Sequence, residues 1–202
     1  MGETEPKGKH KPSNDRVREM IIAALFAAVI VVLSQISVAI PVSPVPITGQ
    51  MLGVFLAGGI LGSRLGSLSL LIYVLLGAIG LPVFAGAHGG ITVLVGPTGG
   101  YIWGFILGSY VLGSIVKRCS PTGDTPGARK VAYISTALGM LACLAIVYLI
   151  GTIQLAIVVG IGLMRALVIG VLPFIPLDIA KLLIATVLSV SVRGILVRQR
   201  LL

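Results

Sequence analysis

Long apolar segments alternate along the chain with short stretches rich in glycine, proline or charge. Most of these segments approach the roughly 20 residues that a helix needs to cross a bilayer. Proline clusters at 41–46 and 173–176 interrupt them, because proline lacks a backbone N–H. The pattern predicts a helical piece over 155–171 and six membrane-spanning helices, at 17–40, 48–61, 65–80, 99–116, 131–150 and 177–196.

Composition assigns the chain to the membrane class. Hydrophobic residues make up 56% of the 202 residues, charged residues only 10%, and the mean hydropathy is +1.10. Soluble domains carry about 25% charged residues. We therefore expect an all-α integral membrane protein, with a polar tail at 1–16 and one six-helix bundle at 17–200.

The positive charges predict the topology of this bundle. Of the fifteen lysines and arginines, thirteen lie in the first 18 residues, at Arg64, between 117 and 130, or near the C-terminus. The intervening loops at 41–47, 81–98 and 151–164 contain none. By the positive-inside rule both termini are cytoplasmic. Clusters beside helix ends suit contact with membrane lipid, and they lack the basic, aromatic-studded face that binds nucleic acid.

Two ionisable residues fall inside an apolar helix, Asp178 and Lys181. Three positions apart, they share a helix face, and either one alone in hydrocarbon would cost about 3 kcal/mol. We expect them to pair, to face the bundle interior, and to lie near the outer end of the last helix. An ion pair that only orients the helix is the structural alternative, but intramembrane charges more often mark a ligand site.

Three outer segments, 44–50, 82–90 and 96–101, are rich in glycine and proline and carry almost no charge. Irregular backbone at membrane depth is tolerated where it lines a cavity. Phe84, Tyr101 and Trp103 are candidates for an apolar wall, although a position at the membrane interface also explains Trp103. His88 is as well explained by a spectator role as by ligand contact. The sequence contains no P-loop for ATP, no metal-ligand cluster and no activated nucleophile.

Small residues recur at spacings of four within the helices, as at Gly104 and Gly108. Such stripes let helix backbones approach closely in lipid. Most of them are explained by packing within the chain. The candidates for packing against another protein lie in the first helix, at Ala23, Ala24, Ala27 and Ala28.

Four motifs together resemble the BioY family, the biotin-binding S components of energy-coupling factor (ECF) transporters. They are Pro-Val-Pro-Ile-Thr-Gly-Gln at 44–50, Gly-Leu-Pro-Val-Phe-Ala-Gly at 80–86, Gly-Pro-Thr-Gly-Gly-Tyr at 96–101 and Pro-Phe-Ile-Pro-Leu-Asp-Ile-Ala-Lys at 173–181. The resemblance implies six helices with both ends cytoplasmic and a biotin pocket open to the outside. It departs from the family pattern at Leu177, where glycine is expected.

The resemblance also implies that ligand capture and the energising of transport reside in different subunits. This chain would capture biotin without a cofactor or a metal, and a transmembrane coupling subunit (T component) and two ATPases would energise uptake across a bacterial plasma membrane. The alanines of the first helix would dock the coupling subunit. The expected biotin-binding residues are Asp178, Lys181, Thr48, Gln50, Phe84, His88, Gly89, Thr98, Gly99 and Tyr101.

Two other functions compete with biotin capture. One is an S component or a stand-alone carrier for another vitamin, which would share the fold and differ in ligand. The other is an intramembrane lipid-modifying enzyme, which would need a nucleophile or a metal cluster that we do not find in the sequence. We therefore predict that the chain is not an enzyme.

Overall fold

The computed structural model describes residues 13–119 and 125–198, most of which are helical. The helices are α1 Ser13–Gln35, α2 Gln50–Leu56, α3 Gly62–Ala78, α4 Ile91–Val95, α5 Gly99–Cys119, α6 Pro126–Val159, α7 Leu163–Gly170 and α8 Ile175–Arg198. The connecting elements are a π-helical segment Ala57–Leu61, a 3-10 turn Ala85–Ala87, and two strands, β1 Ser37–Ile40 and β2 Ser43–Thr48.

Five helical stretches in the described part of the chain are long and apolar enough to cross a membrane. The last of them, α8, shows how such a helix divides its surface. Leu182, Ala185 and Ser189 are buried, whereas Leu183 and Val187 are more than half exposed. A helix that is apolar on both its buried and exposed faces belongs in lipid. The prediction of a helical integral membrane protein is confirmed.

The apolar stretch from 50 to 78 is a helical hairpin. Gln50 Nε2 donates a hydrogen bond of 2.6 Å to the hydroxyl of Tyr73. In one continuous helix these residues would be about 34 Å apart. The chain reverses at Gly62, whose φ of 80° suits glycine. The first leg, α2 with its π-helical segment, is no more than about 18 Å long. The prediction of six spanning helices therefore stays a prediction.

The segment after α1 is a β-hairpin, which the sequence analysis did not predict. The first helix ends at Gln35, so the expectation that it runs to residue 40 is wrong. Strands β1 and β2 pair antiparallel, with Ser37 opposite Thr48 and Ile40 opposite Ser43. The prolines after residue 40 lack the backbone N–H that a helix needs for its hydrogen bonds. In a hairpin the other backbone N–H and carbonyl groups can pair between the two strands.

Helix α6 is longer than predicted. It continues through Val159, so most of the expected outer loop at 151–164 is helical. The helix ends at Gly160, which adopts the left-handed conformation with φ of 71°. The piece predicted at 155–171 is therefore two elements, the end of α6 and the separate helix α7.

Glycines bring the helices of the bundle close together. An added Cβ at Gly100, Gly104 or Gly108 of α5 would lie 2.6, 2.9 or 2.8 Å from atoms of α6. The Gly104 and Gly108 stripe therefore packs within the chain. Helices α2, α5 and α8 begin at one end of the bundle, here called the cavity end. The opposite end, the basic end, carries Arg64, Lys117, Arg118, Arg129 and Lys130.

The alanines of α1 divide between two faces. Ala23 and Ala27 are buried, with exposed fractions of 0% and 1%, whereas Ala24 and Ala28 are exposed. The expectation that all four can dock a partner is wrong for the buried pair, because α1 packs that face against α2 and α3. The polar tail predicted at 1–16 lies largely outside the described residues.

Candidate functional site

A cavity of about 630 Å³ opens at the cavity end of the bundle. Its size is that of a small-molecule site. Its lining includes eight of the ten predicted ligand residues: Thr48, Gln50, Phe84, His88, Thr98, Tyr101, Asp178 and Lys181. Lining residues outside the predicted segments are Ser37, Ala39, Ser43, Met51, Thr92, Val93, Ile102, Phe105, Val147 and Tyr148.

The Asp178–Lys181 pair forms as predicted. Lys181 Nζ lies 2.7 Å from Asp178 Oδ1, and the two side chains are only 19% and 8% exposed. Both residues lie in the first turns of α8, so the helix presents them side by side to the cavity. Leu177, the departure from the family pattern, is 43% exposed and leaves this pair in register.

Lys181 also ties α8 to the hairpin segment. Its Nζ donates a second bond, of 2.7 Å, to the backbone carbonyl of Thr48. The Thr48 hydroxyl in turn donates to Gln50 Oε1 at 2.9 Å, and Gln50 Nε2 donates to Tyr73. An ammonium group has three donors, so one N–H of Lys181 is left for a ligand. The polar side of the cavity is thus one connected network.

Tyr148 completes the surroundings of the carboxylate. Its hydroxyl donates to Asp178 Oδ2 at 2.8 Å, and its side chain lines the cavity from α6. The sequence does not single out this residue, because a tyrosine in an apolar helix is typical of ordinary packing. Its neighbours on the same face of α6, Leu144 and Gly151, are not polar. The sequence around Tyr148 therefore does not indicate a polar partner on another helix.

Two of the three predicted aromatic rings line the cavity, whereas Trp103 does not and is 46% exposed. Phe84 is 1% exposed and packs edge-on against Tyr73, with ring centroids 5.5 Å apart. Gly77 makes room for this ring, since a Cβ there would collide with it. Tyr101 packs over Gly151, and its hydroxyl donates to the carbonyl of Gly170 at 2.9 Å. Both rings are held in place by packing that does not need a ligand.

The remaining predicted residues have different positions. His88 is exposed at the cavity, and one of its ring nitrogens lies 2.9 Å from the carbonyl of Ala85. Gly89 and Gly99 do not line the cavity. An added Cβ at either would collide with a backbone carbonyl, that of Leu81 or Leu94 respectively. These two glycines let neighbouring backbone segments pack closely together outside the cavity lining.

Gln154 of α6 fixes the segment that carries Thr98. Its Nε2 donates to the carbonyls of Leu94 and Gly96, at 2.9 and 2.8 Å. The segment between α4 and α5 is thereby fastened to a long helix although it has little regular structure of its own. The sequence held a sign of this role, a lone amide in an otherwise apolar stretch.

The site as a whole is suited to binding. It offers acceptor oxygens on Asp178, a donor on Lys181, aromatic and aliphatic walls, and an opening at the end of the bundle. Among the described residues no group of three His, Cys, Asp or Glu could hold a metal ion. A helical membrane protein with an apolar cavity and a few convergent polar groups belongs to the class of membrane proteins that bind small ligands.

Comparison with known proteins agrees with that class. The BioY family model matches residues 7–198. The chain is 42% identical over 179 residues to the "Probable biotin transporter BioY" of Pyrococcus horikoshii, covering 89% of this chain and 98% of that protein. It is 39% identical over 183 residues to the "Biotin transporter BioY" of Thermotoga maritima, covering 91% and 100%. The chain belongs to the BioY family.

A solved structure has the same fold. The crystal structure of the S-component for biotin from an ECF-type ABC transporter superimposes with a TM-score of 0.80 at 28% sequence identity. The match covers 91% of this chain and 95% of that one. Since the family and these relatives are transporters, the prediction that this chain is a transport protein and not an enzyme is confirmed.

Proposed function

We propose that this chain captures biotin from outside the cell as the substrate-binding subunit of an ECF-type importer. The observation that carries the proposal is the paired Asp178 and Lys181 at the wall of a ligand-sized cavity. The ligand is proposed from its relatives, which are named as biotin transporters. The expected biotin-binding residues are the eight predicted residues that line the cavity, and Gly89 and Gly99 are expected to shape the backbone behind them.

The chemistry of the cavity suits the ureido end of biotin. A ureido group offers two N–H donors and one carbonyl acceptor. Asp178 can accept from an N–H and Lys181 can donate to the carbonyl, each a charge-assisted bond of about 1.5–3 kcal/mol. A ligand carboxylate beside Asp178 would instead meet a like charge. We therefore place the ureido end at the charged pair and the carboxylate toward the opening.

The rest of biotin is apolar. Its fused thioether ring and its chain would lie against Phe84 and Tyr101, which line the same cavity. Aromatic faces are a common wall for such ligands. The positive charges at the basic end support a cytoplasmic position for that end and an outward-facing cavity.

The proposal includes partners for transport. The sequence has no P-loop for ATP, so energised uptake would depend on a T component and two ATPases. The exposed pair Ala24 and Ala28 forms a smooth strip on α1 that suits close packing against a helix of the T component. Basic residues at the other end would contact anionic lipid of a bacterial plasma membrane.

Binding of radiolabelled biotin by the purified protein tests the ligand assignment. We expect one equivalent of label to be retained and to be displaced by excess unlabelled biotin. Excess riboflavin or thiamin should leave the label in place. Displacement by another vitamin at a lower concentration than biotin would favour the alternative of an S component for that vitamin. No retention of label would contradict biotin capture.

A further inference from the structure

Tyr148 donates a hydrogen bond to the Asp178 carboxylate from a different helix. Lys181, the partner of Oδ1, lies three residues away on α8 itself. Tyr148 lies on α6 and donates to Oδ2 at 2.8 Å. Lys181 links this pair to the hairpin segment through the Thr48 carbonyl. Tyr148 is bonded to the carboxylate itself and fixes it relative to α6.

The hydrogen bond also sets which atoms remain for a ligand. With Lys181 on Oδ1 and Tyr148 on Oδ2, each carboxylate oxygen has one partner and one further lone-pair site. The phenolic proton is committed to Asp178, so the phenolic oxygen retains acceptor capacity only. Tyr148 is half-buried and lines the cavity next to this carboxylate.

We propose that Tyr148 is a positioning residue for ligand binding, acting through Asp178. It holds the carboxylate in the orientation in which the free lone pairs face the cavity, and it couples α6 to the charged pair of α8. This inference rests on the proposed biotin site and adds to it a residue that the four sequence motifs do not contain. Removal of the hydroxyl should weaken binding while the ring continues to fill its space.

A double-mutant cycle tests the coupling. The four proteins are wild type, Tyr148→Phe, Asp178→Asn and the double variant, each titrated with biotin. Tyr148→Phe should raise the Kd about tenfold in the wild-type background, because a carboxylate that is free to turn loses part of its own charge-assisted bond to biotin, about 1.5–3 kcal/mol. In the Asp178→Asn background the same change should raise it less than about threefold, because the group through which Tyr148 acts is gone.

Tyr133→Phe is the matched control, since Tyr133 is a half-buried tyrosine nearer the other end of α6. Its Kd should equal that of the wild type. The melting temperature without biotin separates positioning from packing, and we expect Tyr148→Phe to leave it nearly unchanged.

Three results would overturn the inference. An unchanged Kd for Tyr148→Phe, in a wild type that binds biotin, would remove this role and leave the proposed function standing. Equal losses in both backgrounds, with a lowered melting temperature, would assign Tyr148 to packing alone. A wild type that does not bind biotin would overturn the proposed function and this inference with it.

Discussion

The cavity end and the middle of the bundle use glycine in opposite ways. At the cavity end Gly80, Gly86 and Gly90 have φ values of 100°, 68° and 97°, so they shape an irregular backbone. Farther into the bundle, Gly58 and Gly108 have helical neighbours within 3 Å of an added Cβ, so they bring helices together. Glycines of the first kind shape the cavity, and those of the second kind let the helices pack closely. Substitutions at the two kinds of glycine should therefore have different effects.

The largest expected effect comes from a packing glycine. Gly113 of α5 abuts the backbone at Gly62 and Ser63, where α3 begins. Gly113→Val should prevent these segments from meeting, and we expect little folded protein in detergent by size-exclusion chromatography. Gly194→Val is the matched control, because nothing lies within 4 Å of an added Cβ at Gly194 of α8. Equal yields of the two variants would contradict the packing role.

The exposed strip of α1 should affect transport and spare binding. Ala24→Leu with Ala28→Leu enlarges an exposed surface, so biotin binding to the isolated protein should not change. Energised uptake in cells that contain the coupling subunit and ATPases should be abolished, because leucine prevents close helix approach. Ala145→Leu, on an exposed position of α6, serves as the control and should leave uptake normal. An equal loss of binding and uptake would assign the strip to internal structure.

A smaller effect, on biotin affinity, is expected from the Gln154 side chain, which holds the irregular segment before α5 in place. Gln154→Leu removes two hydrogen bonds to the carbonyls of Leu94 and Gly96. Part of the lost stability, about 1–3 kcal/mol, should appear as a roughly tenfold higher Kd for biotin. Gln35→Leu is the comparison, since the Gln35 amide donates only within α1. A Kd unaffected by Gln154→Leu would mean that this segment does not contact the ligand.

The smallest effect is expected at a glycine that is needed only for its left-handed backbone conformation. Gly160 has a φ of 71° and nothing within 4 Å of an added Cβ. Gly160→Val should lower the melting temperature, because it costs about 1–2 kcal/mol in the left-handed region, and Gly160→Asn should lower it less. Thermal unfolding followed by circular dichroism checks the order. A melting temperature that is the same for both variants would show that the α6 terminus tolerates any residue.

The features that could be predicted from the sequence are those that depend on residues close together in the chain. Apolar length predicted the helices, and the cost of charge in hydrocarbon predicted that Asp178 and Lys181 pair. The length of α6 was underestimated because the 20 residues from 131 to 150 already suffice to cross a bilayer, and the more polar Gly-Thr-Ile-Gln follows them. The β-hairpin was missed because residues 36–40 continue the apolar run of α1 without a break.

The contacts between distant segments could not be predicted from one sequence. The bond from Tyr148 to Asp178 joins residues 30 positions apart, and that from Lys181 to Thr48 joins residues 133 positions apart. Periodicity shows which face of a helix is polar, but it does not show which neighbour that face meets. The split of the α1 alanines into buried and exposed pairs likewise depends on where α2 and α3 pack.

The central claim is that the charged pair of α8 binds biotin, and isothermal titration calorimetry tests it most directly. The wild type and the control variant Lys130→Met, altered at the basic end, should bind one equivalent of biotin with equal affinity. Lys181→Met should lose about a hundredfold in affinity, because biotin loses a charge-assisted hydrogen bond of about 1.5–3 kcal/mol. Equal affinities for Lys181→Met and wild type would contradict the account.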